Sequence, residues 1–143
     1  ALGSSLRLRL TFIGRSSNTL YLYHVGSVAA AKLVRVEADG LVLHYEGEQG
    51  AEHKVRMVWR DGSVARYEGA AGAEHLVYRS FSDGDVLHYE GAKAAEDLVR
   101  VEKPNGTVHH FEGAKDAEHL VRLEEPLKVR RGFGVGAVRL LFY

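Results

Sequence analysis

The chain has 143 residues, 45% of them hydrophobic and 27% charged, with 19 basic residues balanced by 19 acidic ones. That balance argues against a general electrostatic grip on nucleic acid or an anionic membrane and leaves room only for local patches. Cysteine is absent, which excludes disulfides and thiolate metal sites, and no apolar run nears the ~20 residues that span a bilayer.

No signal peptide is visible, and the chain opens on Ala1 instead of Met, which leaves space for an upstream piece. "LRLRLTFI" (Leu6–Ile13) alternates like a strand, and "TLYLYHV" (Thr19–Val25) reads as its return. Residues 1–32 are expected to form an N-terminal cap, because end units of a repeat array depart from its pattern.

From Leu33 to Glu124 the chain writes one unit four times. Tyr45-Glu46-Gly47, Tyr67-Glu68-Gly69, Tyr89-Glu90-Gly91 and Phe111-Glu112-Gly113 follow one another at a spacing of 22 residues. A fixed period of this size signals stacked supersecondary units. Each unit is a strand-like run such as "KVRMVW", a turn, a returning run such as "SVARYE", and an alanine-rich connector such as "GAAGAEH".

The turns set the pairing. Arg60-Asp61-Gly62, Ser82-Asp83-Gly84 and Pro104-Asn105-Gly106 suit a three-residue loop, a type I turn closed by a left-handed glycine. The first unit is one residue shorter, so Asp39-Gly40 forms a two-residue I′ turn. Both turns predict one ladder: Arg35 faces His44, Arg56 faces Arg66, Tyr78 faces His88, and Arg100 faces His110. Strict alternation then puts Val55, Met57, Trp59, Ala65 and Tyr67 on one side. Val77, Phe81, Leu87 and Tyr89 join them, then Val99, Val101, His109 and Phe111, with Arg79 as an exception. The other side carries the Arg/His pairs together with Val42, Val64, Val86 and Val108. The connectors are expected to make one or two helical turns held by the stack. Glu52, Glu74, Glu96 and Glu118 are expected to pair with Lys or Arg and to satisfy exposed backbone N–H groups.

After the repeats, "LVRLEEP" begins a unit that Pro126 disturbs. Residues 125–143 form a C-terminal cap with Ala137–Tyr143 as its last strand. The chain therefore reads as one repeat domain over residues 1–143.

"DGSVARYEG" and "DGDVLHYEG" resemble the core of the membrane-occupation-and-recognition-nexus (MORN) repeat, with its Asp-Gly turn followed by Tyr-Glu-Gly. The likeness runs over the four units and covers their turn and returning strand; in the connector, "GAEHLVRV" departs from the family pattern. It implies an elongated hairpin array that tethers proteins to one another or near membranes.

Candidate chemistry is sparse. The eight histidines fall into columns, His44/His88/His110 and His53/His75/His119, with His24 and His109 apart. Equivalent residues in stacked hairpins lie about 10 Å apart, so one column cannot chelate a single ion, and no metal or other cofactor is expected. The glutamates recur in every unit, whereas an active site normally breaks a repeat's symmetry. "RRGFGVG" lacks the lysine and the strand–loop–helix context of a phosphate loop. The aromatics fit a core stripe better than a base-stacking platform.

The expectation is an all-β array of antiparallel hairpins, stacked into an elongated sheet or solenoid. Its expected role is that of a non-catalytic scaffold subunit, binding protein partners or itself and no nucleic acid. A soluble or peripheral place in the cytoplasm or an organelle fits that role. The candidate docking residues are Arg130, Arg131, Phe133, Arg139, Leu140, Leu141, Phe142 and Tyr143. A rival reading makes Arg130, Arg131 and Arg139 beside Phe133 and Phe142 an anionic-lipid site. A third is an enzyme with a His/Glu cluster in a groove.

Overall fold

The computed structural model describes residues 5–12, 18–27, 29–126 and 138–143. Its strands are β1 (Ser5–Phe12), β2 (Asn18–Val25), β3 (Lys32–Ala38), β4 (Leu41–Glu46), β5 (His53–Trp59) and β6 (Val64–Glu68). They continue as β7 (His75–Ser80), β8 (Val86–Glu90), β9 (Asp97–Glu102), β10 (Val108–Glu112), β11 (His119–Pro126) and β12 (Val138–Phe142). All twelve lie in one sheet in chain order, each antiparallel to its neighbours. Among the described residues each strand touches only the strands adjacent to it in sequence, so no second layer covers either face. The sheet is open, and at about 4.8 Å per strand it extends roughly 50 Å.

Local chemistry explains the inner turns. In the second unit Gly62 N donates to Trp59 O and Trp59 N to Ser63 O, with Gly62 at φ +87°. This is the type I turn with a glycine bulge, and the loops at Phe81–Asp85 and Lys103–Thr107 repeat both bonds. A side-chain oxygen of Asp61, Asp83 or Asn105 accepts the N–H two residues on, at 2.9–3.0 Å. Asp39 and Gly40 both have positive φ, as an I′ turn requires. All four predicted pairings are present. Pro126 does not disturb its unit. It ends β11 and lies over Gly106 as Pro104 lies over Gly84, so the turn column simply continues.

The connectors are not helical; no helix occurs among the described residues. Each is a loop entered through a glycine, Gly47, Gly69, Gly91 or Gly113, at φ +108° to +114°. A single turn follows, in which Ala51, Ala73, Ala95 and Ala117 donate to the residue three before. Its third residue, Gly50, Gly72, Ala94 or Asp116, has φ between +64° and +82°. Two positive φ values in each connector are incompatible with a right-handed helix, whatever the alanine content. The turn position also makes a clean test. A Cβ on Gly72 would meet nothing within 4 Å, so backbone strain alone decides. Ala94→Gly is expected to stabilise the chain by about 1 kcal/mol, and Gly72→Ala to cost about as much, as read from urea midpoints.

Strict alternation fails at one place in every unit. Arg66 pairs with Tyr78 but Tyr67 pairs with Leu76, so Val77 is an extra residue on β7. The same shift makes Val34, Val55, Val99 and Val121 extra residues on β3, β5, β9 and β11. Past each bulge the strand changes sides. Val77 and Val99 therefore line a surface depression with His88, Arg100 and His110, not the apolar side first expected. Lys54, Leu76, Leu98 and Leu120 become the partners of Tyr45, Tyr67, Tyr89 and Phe111. With no second layer, burial is slight: among the described residues only Val36, Ala65, Val101 and Ser63 are buried. Each hairpin depends on its neighbours for cover, as in other quasi-linear arrays.

Candidate functional site

One row of side chains crosses the first face from β2 to β12. In register it reads Tyr23, Arg35, His44, Arg56, Arg66, Tyr78, His88, Arg100, His110, Arg122 and Phe142. The Tyr23 ring carries the Arg35 guanidinium 4.0 Å above its centre, and Tyr78 carries that of Arg66 at 4.9 Å. The row beside it, on the inner-turn side, supplies carboxylates. Arg35 meets Glu37 at 3.2 Å, Arg100 meets Glu102 at 3.2 Å, and Arg122 meets Glu124 at 3.1 Å. His110 Nε2 lies 3.0 Å from both Glu124 and Arg122, so it either donates to the acid or accepts from the guanidinium. His44 lies between Arg35 and Arg56, and among the described residues no carboxylate pairs with it. Burial, then Arg56 and Arg35, push its pKa below the usual 6.5.

The opposite face is apolar along its central row, from Leu22, Val36, Leu43, Met57 and Ala65 to Leu87, Val101, His109, Leu123 and Leu141. Arg79 interrupts it between Ala65 and Leu87. Its guanidinium lies 4.9 Å from the Trp59 ring centre and 4.6 Å from that of Phe81. Stacking on two rings lets the cation sit on an otherwise apolar surface. Lys54 rests over Tyr67 at 3.8 Å, and the Tyr67 hydroxyl lies 3.2 Å from Met57 Sδ. Burial pushes the Tyr45, Tyr67 and Tyr89 hydroxyls above their usual pKa.

The recurrent glutamates are fasteners. Glu52, Glu74, Glu96 and Glu118 accept the N–H groups of Leu33, Lys54, Leu76 and Leu98 in the preceding unit, at 3.2–3.3 Å. The other oxygens of Glu52 and Glu74 accept from Gly50 and Gly72 of their own connectors at 2.9 Å. Lys93 and Lys115 reach back to the carbonyls of Gly72 and Ala94, and Gln49 to that of Ala29. These carboxylates serve backbone N–H groups; among the described residues none of the four forms an ion pair with Lys or Arg. No three His, Asp or Glu side chains converge there as a metal site requires.

Of the expected docking residues, Arg130, Arg131 and Phe133 lie outside the described residues. The rest form β12 and the residue after it. Arg139 pairs with Glu125, Leu140 with Glu124, Leu141 with Leu123 and Phe142 with Arg122. Strand alternation puts Arg139 and Leu141 on one face and Leu140 and Phe142 on the other. Arg139 and Phe142, grouped in the lipid reading, thus do not share a face. Phe142 and Tyr143 remain 74% and 70% exposed, and among the described residues β12 pairs on one side only.

Reading the sequence missed one feature of the cationic row. At the position of Glu37, Glu102 and Glu124 the middle units carry Val58 and Ser80. Stacking the units on their period displays this substitution, but its meaning needs the register. No family model matches the chain, and no curated protein matches its sequence.

Proposed function

We propose that this protein is a non-catalytic scaffold that joins protein chains across an open, single-layer sheet. The observation that carries the reading is that in this twelve-stranded sheet only four of the described residues, Val36, Ser63, Ala65 and Val101, are buried. A domain ordinarily closes on a core between two layers. A single layer instead presents long rows of regularly spaced side chains, suited to an extended partner and poorly suited to enclosing a substrate. A depression along Tyr21, Glu37, Leu41, Trp59 and Arg60 is an open trough and not a closed pocket. The likeness of the turn and returning strand to MORN units supports the same role.

The edge strand β12 is the docking element of this reading. Its outer backbone groups face no strand among the described residues, and Leu140, Phe142 and Tyr143 stand exposed beside them. A strand from another chain would extend the ladder there. Sedimentation velocity over a concentration series tests this. The full chain is expected to associate, and a chain lacking residues 138–143 to sediment as a monomer. A full chain that stays monomeric throughout, or a deletion that assembles equally well, refutes the edge assignment.

A further inference from the structure

The hairpin of β5 and β6 breaks the repeat's own rule for handling charge. Arg56 and Arg66 face each other directly across the two strands. Like charges in facing positions repel and weaken the pairing. Elsewhere in the row, the acid two residues along from Arg35, Arg100 and Arg122 meets its guanidinium at 3.1–3.2 Å. On β5 that position is Val58, its partner across the hairpin is Val64, and on β7 the equivalent residue is Ser80. Glu46 and Glu68 end β4 and β6, and among the described residues no carboxylate forms an ion pair with Arg56 or Arg66. Both arginines are exposed.

We infer that Arg56 and Arg66 receive an acidic segment of a partner protein, which supplies in trans the carboxylates that Glu37, Glu102 and Glu124 supply within the chain. The reading rests on the scaffold function proposed above and names the chemistry of one partner. Alternate residues of an extended segment lie about 7 Å apart on one side, close enough to place one carboxylate on each guanidinium. Val42, Val58 and Val64 form an apolar strip in the adjoining row, in mutual register. Such a strip gives a peptide's apolar side chains a surface, whereas a bare phosphate would engage the charges alone. The mode of recognition is one the chain already uses three times on the same face.

The test titrates the full-length chain into a fluorescein-labelled, blocked hexapeptide of alternating Glu and Leu at low ionic strength, where screening is weak. Saturable binding is expected by anisotropy, weakened about tenfold or more by Arg56→Gln with Arg66→Gln. Val58→Glu restores the missing acid within the chain and is expected to close the site to a similar degree. Melting curves check that both variants fold, and the arginine pair decides the matter if Val58→Glu does not. Equal affinity in the arginine variant, or equal binding of the same peptide with Gln for Glu, overturns the proposal. So does displacement of the peptide by inorganic phosphate or by phosphatidylserine vesicles at matching anion concentration. A chain that binds the peptide but never self-associates refutes the β12 edge and leaves this site standing. A chain that assembles through β12 but ignores the peptide does the reverse.

Discussion

Gly91→Ala is expected to lower the unfolding free energy by about 3 kcal/mol, because among the described glycines its added carbon would make the closest backbone approach. Two causes act together. Gly91 has φ +113°, a region that residues with a Cβ rarely enter, and the added carbon would stand 2.5 Å from the Ala95 carbonyl oxygen. That oxygen belongs to the connector's own backbone, so relief requires moving the loop that positions Glu96. Glu96 in turn holds Leu76 of the preceding unit. Gly62→Ala separates the causes: φ is +87°, and nothing lies within 4 Å of its added carbon. It is expected to cost about 1–2 kcal/mol from backbone strain alone. Urea denaturation of the two variants checks both values. Equal costs would mean that the loop yields without resistance and that the close approach at Gly91 is unimportant. In an array stabilised by nearest-neighbour contacts, a mid-chain loss of this size is also expected to broaden the transition, as the two halves begin to unfold separately.

Acidification is expected to unfold the array from its connectors. The carboxyls of Glu52, Glu74, Glu96 and Glu118 all ionise more readily than the usual 4.5. The largest cause in each is the hydrogen bond from the residue's own N–H. Bonds from the preceding unit and the connector turn add to it, and partial burial opposes it. A carboxyl with a depressed native pKa stabilises the fold fully above its unfolded value and loses that contribution as pH falls through the native one. The part of the urea midpoint that these four carboxylates support should therefore hold down to about pH 5 and then fall. His44 acts earlier and with the same sign. Its native pKa lies below 6.5, so its contribution is complete above that value and declines as the ring is forced to protonate beside Arg56 and Arg35. The fourfold variant Glu52→Gln, Glu74→Gln, Glu96→Gln, Glu118→Gln is expected to flatten the acid limb while lowering the neutral-pH midpoint. A variant with the wild-type acid limb would place the acid sensitivity elsewhere.

Much of this architecture is local, and local features are legible in a sequence. The spacing of Tyr-Glu-Gly gives the period. Asp-Gly and Asn-Gly give the turns, because only a few residue types suit a positive φ or cap the following N–H. A turn fixes the register of the strands that flank it, so the facing of Arg56 with Arg66 follows from Arg60-Asp61-Gly62. The connectors misled for an equally physical reason. Alanine favours helix, but the glycine that opens each connector and the left-handed residue that follows impose a reversal which no propensity sum can express.

Other features arise between units, and there the sequence alone was silent. The bulge at Val77 falls where β7 runs on along β6 past its last partner on β8, and it becomes visible only when the strands lie side by side. That bulge and its counterpart on β9 move Val77 and Val99 to the cationic face and make Leu76 and Leu98 the partners of Tyr67 and Tyr89. The bond from Leu76 to Glu96 joins residues twenty positions apart, through a neighbour that only stacking supplies. The sequence by itself determined the hairpins, their turns and their repetition, because those depend on backbone angles and nearest neighbours along the chain. The tertiary structure alone decided on which face the residues at and before each bulge lie, and that one arginine pair lacks the acids its counterparts meet. Those relations depend on pairing between units, where a one-residue shift reverses every side chain beyond it.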